Sequence, residues 1–147
     1  MAKAFSIEDG NLGSASLLTA KTRLFKDIDL TFTAKPSGEI YKKQDAAAVK
    51  QALKNLILTN KLEKPFLPNF GGNLRAMLFE LADDVTSFLM RDRIIKQIEA
   101  FEPRAKILKL DINMTPENNS LNVYLEAQVL NASQNIISVE TTITRYR

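Results

Sequence analysis

The stretch Leu108-Lys109-Leu110-Asp111-Ile112-Asn113-Met114, followed beyond Pro116-Glu117-Asn118-Asn119 by Leu121-Asn122-Val123-Tyr124-Leu125-Glu126-Ala127-Gln128-Val129, decides the fold. Apolar and polar residues alternate through both runs, the period of two that sets every second side chain on one face of a strand. The Pro-Glu-Asn-Asn segment between them reads as a turn. A second turn at Asn131-Ala132-Ser133-Gln134-Asn135 leads to a third strand, Ile136-Ile137-Ser138-Val139-Glu140-Thr141-Thr142-Ile143-Thr144-Arg145-Tyr146, with Ile137, Val139, Thr141 and Ile143 on one face. Three antiparallel strands with a single apolar face need a covering layer. The last strand runs nearly to the end of the sequence, which leaves its outer edge as a candidate unpaired edge.

The cover lies upstream. In residues 45–58, Val49, Leu53, Leu56 and Ile57 follow the i, i+4, i+7, i+8 spacing of one helix face, with Asp45 as the expected N-cap. Ala46, Ala47 and Ala48 give a smooth surface expected in the core. Leu74, Met77, Leu78 and Leu81 mark a short second helix, and Asp83-Asp84 its stop and the cap of a third. That third helix, about residues 85–101, carries two apolar sets: Met90, Ile94, Ile98 and Phe101 form a narrow stripe, while Val85, Phe88 and Leu89 point elsewhere. Its first half therefore needs a second cover, from the N-terminal arm or a partner. The expected fold is α+β, with about three helices packed on one face of a small antiparallel meander sheet.

Two further segments break the regular pattern. Ile28, Leu30 and Phe32 alternate with polar residues as a half-buried strand would, ended by Pro36-Ser37-Gly38. Residues 64–72, Lys-Pro-Phe-Leu-Pro-Asn-Phe-Gly-Gly, concentrate proline, glycine and aromatic residues, so helix and regular strand both fail there. The segment reads as a rigid loop with its aromatic residues buried as anchors. Residues 1–27 hold Gly10, Gly13, Ser14 and Ser16 with weak periodicity and read as an arm or a plain terminus.

Composition narrows the chemistry. The 147 residues include no His, Cys or Trp. A Ser-His-Asp triad, a Cys-His pair, a disulfide framework and the common zinc ligand sets are thereby excluded. With 20 Lys+Arg against 17 Asp+Glu the net charge is only +3, and no basic cluster is interleaved with aromatics, so nucleic acid is not an expected partner. No window approaches ~18 apolar residues and residues 1–10 lack a hydrophobic signal core, so a soluble protein made in the cytoplasm is expected. The Asn131-Ala132-Ser133 sequon is accordingly read as turn. No metal or cofactor is expected.

An enzyme built from this alphabet would need a carboxylate pair. Asp83 with Asp84, and Glu99 with Glu102, are the candidates; a cap for the first and a solvated helix turn for the second are the simpler readings. Glu102-Pro103-Arg104 is a different case. Proline disfavours helix in the residue before it, so the third helix should end at about Phe101 and Arg104 should stand at a rigid helix–strand joint. A guanidinium there can grip a partner's carboxylate or carbonyl, or simply pair with Glu102 at the surface.

Lys64-Pro65-Phe66-Leu67-Pro68-Asn69-Phe70-Gly71-Gly72-Asn73-Leu74, then Leu78-Phe79-Glu80, then Phe101-Glu102-Pro103-Arg104 before a strand meander, together resemble the phage T4-type baseplate wedge family. These are the small sheath-initiator proteins of contractile tails, with relatives in type VI secretion and other contractile injection systems. The resemblance covers roughly residues 45–147 and suggests a division into an N-terminal extension, 1–40, with a short strand, and the wedge domain, 41–147. It implies a structural, non-enzymatic protein of the virion tail baseplate, assembled in the host cytoplasm, present in several copies in a ring, and bound to wedge core proteins and the tail sheath protein. It further implies no membrane partner and a fold like the sheath's strand-exchange domain. Carried onto this sequence, Glu102, Pro103 and Arg104 would contact the wedge core. The strand Ile136 to Tyr146 would accept sheath strands, and Pro65, Phe66, Pro68, Phe70 and Gly71 would form a structural loop. Two rivals stand beside this reading: a peptidoglycan hydrolase, since the family has carried a lysozyme label, and a soluble regulator, since an anti-adaptor of regulated proteolysis resembles the same fold.

Overall fold

The computed structural model describes residues 25–80, 83–115, 117, 119–130 and 136–144. Residues 1–24 of the expected N-terminal arm, Leu81 of the short helix, Pro116 and Asn118 of the first turn, the turn at 131–135, and Arg145 and Tyr146 lie outside the described residues. In chain order the elements are β1 (Lys26–Ile28), β2 (Lys42–Gln44), α1 (Ala46–Leu58), α2 (Leu74–Met77), α3 (Asp84–Phe101), β3 (Ala105–Thr115), β4 (Ser120–Val129) and β5 (Ile136–Thr144).

The alternating runs form an antiparallel sheet in the order β3-β4-β5. Register places the apolar residues of the central strand between those of its neighbours: Leu121, Val123 and Leu125 face Met114, Ile112 and Leu110 on one side and Ile143, Thr141 and Val139 on the other. One face of this sheet is buried under the helices. α3 lies against β3 and α1 against β5, and Val49, Leu53, Met90, Ile94 and Ile98 complete the core with β4. The expected helix faces and strand faces are thus the buried ones.

Leu108 departs from the alternation that singled it out. Pairing runs from Ile107 opposite Ala127 directly to Lys109 opposite Glu126, so Leu108 is the extra residue of a β-bulge. The extra residue reverses the parity of the strand: Ala105 is buried before it, Leu110 and Ile112 after it, and Leu108 itself is 49% exposed.

The strand expected over Ile28, Leu30 and Phe32 is shorter and more exposed than its pattern. Residues 26–28 pair with Lys42–Gln44 in a two-stranded ribbon, the chain turns at residues 30 and 31, and Ile28, Leu30 and Phe32 remain exposed. No third layer covers this ribbon among the described residues. Polar contacts hold it instead: the buried Gln51 of α1 donates Nε2–H to the Ile28 carbonyl at 2.8 Å and accepts from the Leu30 N–H at 3.4 Å. Pro36-Ser37-Gly38 forms the tip, closed by Lys35 N–H donating to the Glu39 carbonyl at 2.7 Å, with Gly38 at φ 82°.

Asp45 stands before α1 without capping it through its side chain, and its φ is 48°. Its N–H donates to the Phe25 carbonyl at 2.7 Å, so backbone pairing with the preceding segment fixes the helix start. Of the three alanines, Ala48 is fully buried and Ala47 faces solvent.

The bulge makes a direct stability test. Leu125→Ala removes a fully buried side chain and is expected to cost ~2–5 kcal/mol, whereas Leu108→Ala is expected to stay within about 1 kcal/mol. Urea unfolding of the two variants checks this; equal losses would show that Leu108 faces the core.

Candidate protein interface

Backbone restriction before proline ends α3 at Phe101 and leaves three residues to reverse the chain into β3. Glu102 keeps its N–H on the Ile98 carbonyl at 2.8 Å and receives the Ala105 N–H on its own carbonyl at 3.1 Å. Its side chain is buried, the residue only 5% exposed. Arg104 meets this carboxylate with a two-pronged fork, Nε to Oε1 at 2.5 Å and Nη2 to Oε2 at 2.6 Å. Those hydrogen bonds hold the guanidinium above its already high ordinary pKa, with the nearby charges of Glu102 and Asp27 adding to the effect. The outer face of the guanidinium lies 5.1 Å from the centroid of the Phe25 ring, a cation–π contact. The expected surface ion pair is therefore a half-buried internal one, and Pro103 is the exposed member of the trio.

The loop after α1 is built by close backbone approach. Gly71 has φ 112°, and a Cβ there would lie 2.4 Å from the Thr59 carbonyl oxygen, so no side chain fits. Its N–H donates to Gln97 of α3 at 3.2 Å, while Gly72 N–H returns to the Leu56 carbonyl at the end of α1 at 3.0 Å. Phe70 anchors the loop, edge-on to Phe101 at 5.2 Å between centroids, with the Lys64 ammonium 4.2 Å over its other side. Phe66 does not anchor anything. It is fully exposed at φ 65°, because the loop tip turns it away from the core that Phe70 reaches. Pro65 and Pro68 are likewise exposed.

The two expected contact regions share one end of the sheet. Leu130 N–H donates to the Arg104 carbonyl at 2.8 Å, and Gln128 of β4 pairs with Lys106 of β3 on one side and Ile136 of β5 on the other. Ile136 thus begins two strands over from the joint, ~10 Å away at ordinary strand spacing. β5 is a sheet edge. Ile137, Val139, Thr141 and Ile143 are buried in the core as expected, and Ile136, Ser138, Glu140, Thr142 and Thr144 face outward.

Neither candidate acid pair is poised for hydrolysis. Asp83 accepts the Thr86 N–H at 2.7 Å as the cap of α3, and its hydrogen bonds to Thr86 lower its pKa, opposite to what a general acid requires. Glu102 is committed to Arg104, while Glu99 is exposed. Val85, Phe88 and Leu89 are all exposed, as the second apolar side of α3 predicts. Sequence reading missed Phe25, Gln51 and Gln97, which make the polar and ring contacts between segments; single glutamines and a phenylalanine carry no periodic signal.

Residues 43–134 match the family described as "Baseplate wedge protein gp25". Baseplate wedge protein gp25 of Enterobacteria phage T4 is 28% identical over 104 residues, 71% of this chain and 77% of that protein. Among solved structures, a chain of the anti-feeding prophage baseplate superposes with a TM-score of 0.57 at 19% identity, covering 81% of this chain and 84% of its own. A Geobacter sulfurreducens protein provisionally named a tail lysozyme superposes at 0.58 and 16% identity, over 67% of this chain and 89% of its own. Both likenesses bear on the fold alone, which is the expected α+β arrangement.

Two outcomes follow from the geometry. Arg104→Ala leaves the Glu102 carboxylate buried without its partner and is expected to cost ~1–3 kcal/mol, below the full cost of breaking a buried pair because the guanidinium is partly solvated. Arg104→Lys should recover only part of the loss, since an ammonium cannot make the two-pronged contact; thermal unfolding compares them. For Asp83, a carboxylate with a lowered folded pKa adds stability above its unfolded value near 3.8 and loses it as pH falls through the lower folded value. Asp83→Ala should therefore be less stable than the parent at pH 7, with the gap closing on acidification below 3.8; a gap that persists there would assign the loss to something other than the charged cap.

Proposed function

The chain belongs to the baseplate wedge protein gp25 family of contractile tail baseplates, and on that premise we propose that it joins the wedge core to the tail sheath and starts the sheath by accepting strands from its first ring. The observation that carries this reading is the outer edge of β5. An edge strand offers a row of backbone donors and acceptors to any extended segment laid beside it. The two edges of this sheet differ in how they are guarded. β3 carries the bulge at Leu108 and the flanking Lys106 and Lys109, devices that discourage strand addition. β5, from Ile136 to Thr144, has no Pro, no Lys and no bulge. It is the edge suited to receive a strand.

At the same end of the sheet, the Glu102-Pro103-Arg104 joint supplies a rigid projection, with Pro103 outward and Glu102 holding Arg104 in place. We assign this projection to the wedge core contact. Wedge and sheath partners at neighbouring sites would let a movement of the baseplate pass through the sheet to the sheath, with assembly in the host cytoplasm and several copies set in a ring. The non-enzymatic reading is favoured over a hydrolase because one member of each candidate pair is committed, Asp83 to the α3 cap and Glu102 to Arg104.

The test is mass spectrometry of proteins co-purifying with the chain from cells assembling the native particle. One variant carries proline at a β5 residue whose N–H points away from β4, removing an outward donor without touching the β4 ladder. Wild type should recover wedge and sheath proteins, and the proline variant should lose the sheath protein while retaining the wedge. Unchanged sheath recovery would move strand addition away from β5, and recovery of neither partner by wild type would sink the joint role.

A further inference from the structure

On the solvent face of the sheet, one row reads Asp111, Tyr124 and Glu140 across the three strands, with Lys109, Glu126 and Ser138 in the row beside it. The charges on β3 and β4 are already engaged. Lys109 pairs with Asp111 at 2.8 Å and lies 5.7 Å from the centroid of the Tyr124 ring, while Glu126 accepts the Tyr124 hydroxyl. Asp111 first, and Glu126 after it, hold the Lys109 ammonium in its charged form, so the cation nearest the middle of this face already serves two carboxylates. Lys106 stands in the row of Gln128 and Ile136 at the end of the sheet. The carboxylate of Glu140, exposed on the edge strand, has no ion pair or hydrogen bond among the described residues.

A second unmet group lies one residue on, on the core face of the same strand. Thr141 is only 6% exposed, and its hydroxyl is buried without a hydrogen-bond partner among the described residues. Across the ladder it faces Val123, with Leu121 and Leu125 diagonal to it, none of which carries a polar side chain. Leaving a buried hydroxyl unpaired is destabilising, and the side of β5 away from β4 is the sheet edge. Thr142, by contrast, donates to Asn122 at 2.7 Å and is satisfied within the sheet.

Strand periodicity turns these two groups into a pattern. Side chains at paired positions share a face, so a segment laid along β5 in either direction sets one residue beside Glu140 on the solvent face and its neighbour beside Thr141 on the core face. We propose that the segment received at β5 carries Lys or Arg beside Glu140 and Ser or Thr beside Thr141, between apolar residues beside Val139 and Ile143. The cation neutralises the free carboxylate, and the hydroxyl gives Thr141 its missing partner. The pattern also fixes register: a slip of one residue drives the cation onto the core face, and a slip of two sets it beside Ser138 or Thr142, away from the charge. This inference names the chemistry of the accepted segment and rests on the strand acceptance proposed for β5.

The probe is the full chain extended at its C-terminus by a flexible glycine-serine linker and the strand Val-Thr-Thr-Lys-Val-Thr-Val. In antiparallel register this strand runs from beside Ile143 to beside Ile137, with its lysine at Glu140 and its second threonine at Thr141. The tether supplies the effective concentration that a free peptide lacks. Hydrogen exchange of the β5 amides that point away from β4 reads the pairing constant. Glutamate in place of the probe lysine should lower that constant about fivefold; Glu140→Lys should reverse the order of the two probes, and added salt should shrink the difference. Valine in place of the second probe threonine should lower it about fivefold, a preference that Thr141→Val should abolish. A charge preference that Glu140→Lys does not reverse, or a hydroxyl preference that survives Thr141→Val, overturns the proposal. Equal protection of β5 by every probe also overturns it while leaving strand acceptance standing; protection by none overturns both.

Discussion

A buried carboxylate in a helix–strand reversal is the contact on which this fold turns. Glu102 ends α3 and loses its water, and a carboxylate in that position needs a partner that satisfies both oxygens. Arg104, two residues on, supplies both bonds from one planar group. The pair thereby fixes the angle at which β3 leaves α3, and so the placement of Met90, Ile94 and Ile98 over the sheet. Other segments converge on it. Phe25 stacks on the guanidinium, Phe70 closes on Phe101 one residue before the carboxylate, and Leu130 at the end of β4 bonds to the Arg104 carbonyl. The hairpin, the glycine loop and the adjoining end of the sheet are registered on one joint.

A sheet with a single apolar face follows from that arrangement. The helices cover one side, and the polar residues of β4 and β5 line the other. Among the described residues β3 and β5 are the two edges of this sheet, and the chain treats them differently. β3 spends an extra residue at Leu108 to break its ladder and brackets it with lysines. β5 keeps a regular register along its length, with the buried Val139 and Ile143 holding it flat against α1.

The sheet and both long helices were legible in the sequence because periodicity reports burial directly: Leu121 through Val129 and Met90 through Ile98 occupy the faces their spacing assigns. Where periodicity failed, a local event intervened. Leu108 kept the alternation while the backbone inserted it as a bulge, a change that leaves no trace in the pattern. Ile28, Leu30 and Phe32 alternated without a third layer to bury them among the described residues, and hydrogen bonds with Gln51 hold the segment there. Phe66 and Phe70 are equivalent in composition, yet Gly71's approach to Thr59 sends only Phe70 inward. Of the candidate contacts, the Glu102-Pro103-Arg104 joint could be located from the proline restriction alone. That Arg104 would face inward onto Glu102 could not, because burial of the carboxylate depends on Phe25 and the loop, both remote in sequence.

The strand addition proposed for β5 also has a magnitude to satisfy. Ordering an arm costs ~1–2 kcal/mol for each residue fixed, while each backbone bond returns ~0.5–1.5 kcal/mol net. The two are of the same size, so a strand paired only through its backbone would be held weakly by one subunit. The outward side chains of β5, mostly small and polar, offer little pocket to tip the balance. A ring of copies changes the arithmetic: once one arm is engaged, a linked neighbour meets its own edge at an effective concentration that can raise avidity ~10²–10⁴-fold without any new contact. A weak, regular and unguarded edge is therefore suited to templating in a ring. A lone subunit would capture little, whereas a closed ring of the proposed kind would hold every arm at once.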